Sequence, residues 1–572
     1  MRYFFTLVIL LTSLIGKGQQ QSAKTNFRPP MDLTIFLSGT FGEMRSNHFH
    51  SGIDIRTQGV EGHLVFAIED GFVNRVAVSA VGFGKVVYLS HPKTGHVSVY
   101  AHLQRFNKEI GQYVKNQQYK NESFSVNLFP ESNLLPVKKG DLIGYAGNSG
   151  SSGGPHLHFE IRDGATQEVL NPLYFGFKTK DFIRPNISRL AIYPEGDKSR
   201  INGRNAAAFF EVQGWGESHR IKDNAAVKAF GEVSFGITTY DTHNDTPNKN
   251  GVYSIELFID SVKIFGFKAD RFSFDETRYI NSMIDYGFLI RNQSRIIRTK
   301  IDPLNKLSLY DGMKGRGTFV FENGKKYNAV YVISDFHGNI SKLPFVISGE
   351  LPADTSVLST KDTIGELIKV RNEHKITAQN YEASFPAETF YRDERIVHKS
   401  EKSSKYLSDI VTVGNREIPA HKSYKLAIRP DNQSVSKEKL LIAELGKDKK
   451  TTAIGGKFEN GMLVVSTRSL GDFVILADTV SPVVKALNFR NNSNIDTLKT
   501  LRIEVSDDLS GIDSIKPSLN GKWLLMDYDA KNNLLVYEFD ERLTMGENRF
   551  RLVVTDKCNN STSFEAVIYK TK

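Results

Sequence analysis

Along most of its 572 residues the chain is broken into short runs rich in Val, Ile, Tyr and Phe, separated by clusters of Gly, Asn and Asp. Residues 85–90, 251–260, 318–321 and 549–555 are examples, and few long stretches keep the 3.6-residue apolar period of a helix. The pattern confines the chain to a mainly β architecture. A single core cannot serve this length, and a prior of about 150 residues per domain gives three or four units. Turn-forming, Pro-containing stretches at 182–185, 349–354 and 478–482 divide it into 30–178, 181–350, 351–480 and 481–572. Ile333-Ser334-Asp335-Phe336-His337-Gly338-Asn339 and Val554-Thr555-Asp556-Lys557-Cys558-Asn559-Asn560 form a weak strand–turn–strand repeat. With the alternating Ser254-Ile255-Glu256-Leu257-Phe258-Ile259, the repeat suits β-sandwich modules of immunoglobulin-like topology over 181–350 and 481–572, with a β-rich module over 351–480.

Met1-Arg2 precedes an apolar run from Tyr3 to Ile15 closed by Gly16-Lys17-Gly18. The run falls short of the ~20 residues of a membrane-spanning helix, so residues 1–18 are expected to be a cleavable export signal. No cysteine follows it, so lipid modification is not expected there, and no later stretch is apolar for long enough to span a bilayer. The expected location is therefore a periplasm, an outer envelope or the medium, with no integral membrane segment after signal cleavage. Cys558 is the sole cysteine, which rules out an intrachain disulfide. A formal charge of +10 favours a polyanionic neighbourhood such as cell wall, membrane surface or nucleic acid, or simply a solvated basic surface. Export argues against nucleic acid, and no protein partner can be named.

Three clusters in the first unit hold a large share of the 14 histidines: His48-Phe49-His50-Ser51-Gly52-Ile53-Asp54, Val99-Tyr100-Ala101-His102-Leu103, and Gly153-Gly154-Pro155-His156-Leu157-His158-Phe159-Glu160. In a strand, His156, His158 and Glu160 share one face while Leu157 and Phe159 take the other. His50 and Asp54 stand four apart around Gly52, which lets a bend aim both at one centre. Zinc takes imidazole nitrogen and carboxylate oxygen in a tetrahedral shell, and catalytic sites leave one position open, so two histidines and an aspartate make a sufficient set.

These residues resemble the M23, or LytM/lysostaphin-type, peptidoglycan metallopeptidases, whose motifs are His-x-x-x-Asp, a middle histidine and His-x-His. All three occur in order, as His50 to Asp54, His102 in Tyr-Ala-His-Leu, and His156 to His158. Asp70-Gly71-Phe72-Val73, Gly82-Phe83-Gly84-Lys85, Val137-Lys138-Lys139-Gly140-Asp141 and Gly147-Asn148-Ser149-Gly150 match as well, so the likeness covers roughly residues 40–175. The resemblance implies an N-terminal antiparallel-sheet peptidase domain, Zn2+ held by His50, Asp54 and His158, and His102 and His156 as an unligated catalytic pair. It also implies peptidoglycan as substrate and cell-wall remodelling as the role. A neutral imidazole takes a proton and an imidazolium stabilises an oxyanion; both tasks suit histidine, and His156 is favoured as base because it sits beside a ligand. Glu160 is a same-face neighbour able to orient a histidine. Residues 104–136 depart from the family pattern as an insertion, placed either to wall or cover the substrate groove or to form a surface excursion packed on Tyr113, Tyr119, Phe124 and Phe129.

Other motifs carry less. Gly147 to Gly154 is glycine-rich but lacks the ending and following helix of a phosphate loop. Gly150-Ser151-Ser152-Gly153-Gly154 has the Gly-x-Ser-x-Gly spacing around Ser152, but Pro155 and the strand pattern after it argue against the strand–turn–helix setting of a nucleophile elbow. No His-Glu-x-x-His occurs, and Asp507-Asp508 with Asp513 is expected to be a solvated turn rather than a calcium loop. His63 and His96 are expected to be ordinary, and His48 structural or substrate-facing. Two further functions compete: a catalytically silent regulator of other wall hydrolases, and an envelope scaffold. Which bond is cut, and whether the enzyme acts as endopeptidase or carboxypeptidase, is not legible.

Overall fold

The computed structural model describes residues 26–351, 364–431 and 435–572; the expected signal over 1–18 lies outside the described residues. The first unit runs β1 (Leu37–Gly39), β2 (Ile53–Arg56), β3 (Leu64–Phe66), β4 (Gly71–Val78), β5 (Lys85–His91), β6 (His96–Phe106), α1 (Lys108–Asn121), β7 (Val126–Leu128), β8 (Pro136–Val137), β9 (Leu142–Ala146), β10 (His156–Asp163) and β11 (Val169–Leu170). Among the described residues these strands, joined by Arg271–Phe272 from the second unit, make a 12-stranded sheet with the path β1-β2-β10-β6-β5-β4-β7. Every pairing along that path is antiparallel.

Period-two alternation decides which way β10 faces. Leu157, Phe159 and Ile161 are fully buried in the same hydrophobic cluster as Ile53, Ile55 and Tyr100. Each such side chain contributes on the order of 1.5–3 kcal/mol, and a one-residue slip would turn all three outward. The register is thereby set, and it leaves His156, His158 and Glu160 on the opposite face.

The expected insertion contains a helix, a departure from its strand-dominated surroundings. Asn107 caps α1, its side chain accepting from the Ile110 N–H at 2.8 Å, with Glu109 in the first turn and Lys120 in the last. Ile110, Val114 and Gln118, spaced by four, form its buried face, and Glu122 ends the helix in a left-handed conformation.

One hydrophobic cluster runs from Phe27 to Ile347 and so through both the first and second units, which also join where β11 pairs with Arg271–Phe272. The described residues of 366–477 form two five-stranded sheets and a two-stranded one around Tyr381, Tyr424 and Phe473. Residues 483–570 form a four- and a five-stranded sheet around Leu501, Ile503, Tyr537 and Phe550. Both are sandwiches. The weak repeat corresponds to one turn used twice. Asp335 accepts from the backbone and side-chain N–H groups of Asn339, and Asp556 does the same with Asn560, each beside a left-handed residue, Gly338 or Asn559. Cys558 is buried with Tyr406, Leu441 and Val474, joining the last two units. No helix among the described residues is long and apolar enough to cross a membrane.

The last unit returns to the first. Tyr119 of α1 donates to Asp540 at 2.6 Å and meets Trp523 edge-on at 5.4 Å, Lys115 pairs with Asp540 and Glu541 at 3.0 Å, and Lys85 pairs with Asp527 at 2.5 Å. The insertion thus docks the C-terminal module rather than packing only on its own aromatics.

Candidate metal centre

His158 on β10 stands directly opposite Asp54 on β2, and directly opposite residues of antiparallel strands share a face. His50 reaches them from the bend before β2. Gly52 makes that bend possible: a Cβ there would lie 2.2 Å from the Phe159 carbonyl oxygen. The three donor atoms form a triangle, with His50 Nε2 3.0 Å from His158 Nδ1 and 3.0 Å from Asp54 Oδ1, and His158 Nδ1 2.9 Å from Asp54 Oδ1. Its edges are slightly tighter than the roughly 3.3 Å set by ligands ~2.0–2.1 Å from a tetrahedral ion. All three side chains are buried.

The remaining atoms fix which nitrogen faces the centre. His50 Nδ1–H donates to the Thr40 carbonyl at 2.8 Å, turning Nε2 to the centre, and His158 Nε2–H donates to Glu160 at 3.0 Å, turning Nδ1 to it. Glu160 is itself held by Ser51 and by Arg162, whose Nε donates at 2.7 Å. Arg45 occupies the other Asp54 oxygen at 2.5 Å, leaving Oδ1 for the histidines. Burial alone would raise the Asp54 carboxyl, but His50, with hydrogen bonds from His156 and His158, holds it well below the usual range. Burial opposes a charge on His158, yet Asp54 and Glu160 raise it to about 9, the response of a pocket that favours positive charge. Burial likewise opposes ionisation of Glu160, which Arg162 and His158 nevertheless lower to about 2. A buried, anionic, nitrogen-and-oxygen donor set of this shape fits a divalent metal.

Beside the triangle lie His102 and His156, their ring centroids 4.9 Å apart. His102 is in the left-handed region at φ 59°, inside β6, where the pairing register with β5 and β9 shifts. This bulge turns its ring into the site. Its Nδ1–H donates to the Ser149 carbonyl at 2.9 Å; His156 Nδ1–H donates to the Gly154 carbonyl at 2.8 Å. Both rings therefore present Nε2, that of His156 lying 3.4 Å from Asp54 Oδ1. Burial, then the neighbouring His158 and His156, push His102 down to about 3 and keep it neutral.

Residues 147–154, which carry those carbonyls, pack on the Gly82–Gly84 turn. Gly150 has φ 71°, and a Cβ there would lie 2.4 Å from the Gly82 carbonyl oxygen. Phe83 stacks on His158 at 5.1 Å and meets His102 edge-on at 6.2 Å. Ser152 hydrogen-bonds to the Gly154 carbonyl and leads into β10, with no helix to make it a nucleophile elbow. Lys531 of the last unit donates to the carbonyls of Asn148 and, at 3.0 Å, Ser152. Lys531→Ala is expected to lower turnover several-fold with metal content unchanged; identical kinetics would show that the loop needs no brace.

The structure thus gathers the five residues proposed for metal and proton chemistry, with Glu160 behind His158, and leaves His48, His91 and His96 apart. His48 is exposed with Nδ1 on the Ser46 carbonyl, His91 is bonded to Asp70 and Ser98, and His96 packs against Phe27 and Phe175. Sequence reasoning misses Arg45, Phe83 and Lys531; only Phe83, inside a motif that matches the M23 pattern, carries any signal. Glu160→Gln keeps the shape but not the charge behind His158, and is expected to weaken metal affinity about 10–100-fold in chelator competition.

Comparison with known sequences gives two family matches: "Peptidase family M23" over residues 48–119 and 132–172, and "Zu5-like domain" over 365–478. The gap in the first falls inside the insertion. An "Uncharacterized metalloprotease" of Haemophilus influenzae is 33% identical over 124 residues, 22% of this chain and 20% of that protein. A "DD-carboxypeptidase/endopeptidase Mpg" of Neisseria meningitidis is 26% identical over 181 residues, 31% of this chain and 35% of that protein. The chain therefore spans about a fifth to a third of these relatives' lengths. Among solved structures, the catalytic domain of lysostaphin from Staphylococcus simulans aligns at 24% identity and a TM-score of 0.18, covering 24% of this chain and 87% of that one.

Proposed function

We propose that this chain, a member of peptidase family M23 through residues 48–119 and 132–172, is an exported zinc endopeptidase cutting stem peptides or cross-links of peptidoglycan. The observation that carries the proposal is the donor triangle of His50, Asp54 and His158 beside two imidazoles that present Nε2 to the site. Bound at the triangle, zinc supplies a Lewis acid that polarises the scissile carbonyl and makes water acidic near neutral pH.

The chain's own groups handle the protons. His156 accepts the proton of the attacking water at Nε2; the Asp54 carboxylate 3.4 Å away favours the resulting imidazolium, and the Gly154 carbonyl keeps Nδ1 protonated. The same Nε2–H then protonates the leaving amine. His102, held neutral with Nδ1 on the Ser149 carbonyl, offers its Nε2 lone pair to the water's second hydrogen and orients it. The substrate assignment draws on the Neisseria relative, whose name joins carboxypeptidase and endopeptidase action. Incubating the zinc-loaded chain with purified sacculi should release new amino termini and shift the muropeptide masses. No release by protein with stoichiometric zinc would sink the assignment.

A further inference from the structure

A second set of metal-type donors lies in the second unit, unused by the peptidase chemistry. Asp181 sits in the link between the first two units, Asp241 follows the strand Val227–Tyr240, His243 is two residues on, and Asp335 and His337 belong to the turn between Lys326–Ser334 and Ile340–Gly349. His243 Nε2 is 3.3 Å from Asp241 Oδ2 and 3.5 Å from Asp181 Oδ2, and His337 Nδ1 approaches the same Asp181 oxygen at 4.0 Å. Two donor triads, Asp181–Asp241–His243 and Asp181–Asp335–His337, therefore share Asp181.

Burial makes this arrangement costly as it stands. Asp181 is 3% exposed, Asp241 1% and Asp335 3%, yet Asp181 Oδ2 and Asp241 Oδ1 have no hydrogen-bond partner. Among the described residues the only cationic groups within ion-pair distance of Asp181, Asp241 or Asp335 are His243 and His337. The outward atoms are anchored: Asp181 Oδ1 accepts from the Ile183 N–H at 3.0 Å, Asp335 accepts from Asn339, and His337 Nε2 meets Thr179 at 2.9 Å. Asp181 Oδ2 and Asp241 Oδ1 remain buried without a hydrogen bond. Burial accordingly pushes Asp181 up to about 7 and raises Asp241, against the opposing pull of His243, the response of three buried carboxylates sharing too little positive charge.

We propose that Asp181, Asp241, His243 and His337, with Asp335 beside them, form a second divalent-metal site of structural type. Imidazole nitrogen in the donor set selects a zinc-like transition ion over calcium or magnesium, which prefer all-oxygen shells. The triad Asp181–Asp241–His243 is buried, which closes it to a polymeric substrate and marks the site as structural, while His337 caps it from the surface. The ion ties together the link after the first unit, the segment from Asp241 and the Asp335 turn. From that segment Asn248 accepts from Arg56 at 2.5 Å and the Gly251 carbonyl accepts from Thr40 at 3.1 Å, so the clamp also steadies the strand carrying Asp54.

The test is zinc content of the full chain, stripped with chelator, reloaded with zinc, desalted and measured by plasma mass spectrometry. Wild type should retain two zinc ions, Asp54→Ala one, and Asp54→Ala with His243→Ala none. Because removing His243 also disturbs a buried pocket, the decisive sample is Asp54→Ala, in which the second site is intact. One equivalent of zinc bound there with a rise in Tm supports the site. No uptake by well-folded Asp54→Ala, or a single zinc in wild type that Asp54→Ala abolishes, overturns it.

Discussion

Asp54→Ala is expected to abolish peptidoglycan hydrolysis and to remove zinc from the first unit in the same step. Asp54 Oδ1 is the point on which His50, His158 and His156 converge, at 3.0, 2.9 and 3.4 Å. Its loss takes away the single anionic ligand and leaves Arg45 with only Glu43 as a partner. Several kcal/mol of transition-state stabilisation depend on the metal, so the rate should fall on the order of a thousandfold or more. Muropeptide release and zinc content, measured on the same preparation, check both halves. Hydrolysis by zinc-free Asp54→Ala at more than a few per cent of the wild-type rate would contradict the assignment.

His156→Ala separates proton transfer from metal binding. Its Nε2 faces Asp54 at 3.4 Å and its Nδ1 is fixed on Gly154, so the variant should keep zinc while kcat drops about 10²–10⁴-fold, the range for loss of a general base. His102→Ala should also retain zinc and lose less, because a neutral ring in its position orients water rather than taking the proton. The double variant should be little worse than His156→Ala, since the two act on one water. A His156→Ala enzyme with wild-type kcat would transfer the base role elsewhere.

How much of this centre the sequence could reveal differs residue by residue. The period-two run from His156 to Glu160 and the His50–Asp54 spacing are local facts, and local facts are legible. That His158 faces Asp54 depends on strand register across 104 residues, set by the burial of Leu157 and Phe159. His102 reached the site only through resemblance, because its bulge follows from a pairing shift that no short motif encodes. Arg45 and Lys531 left no trace, being ordinary surface-type residues until the fold brings Asp54 and residues 147–154 to them. The α1 helix was legible in part: Asn107, Glu109 and Lys120 are terminus signals, easily passed over because its apolar stripe is thin. The second unit's five donors lie too far apart in sequence for any spacing rule to unite them.

The bond from Lys531 to Asn148 spans 383 positions, and that distance is also a measure of time. At ~5–20 residues per second, synthesis brings Lys531 into being on the order of 20 to 80 s after the loop it holds. During that interval a nascent chain owns all five histidine and aspartate groups but not the last clasp on the loop behind two of them. A product cut short before residue 531 stays in that state for good. Residues 483–570 thus act as a late clasp, closing on a loop made long before them.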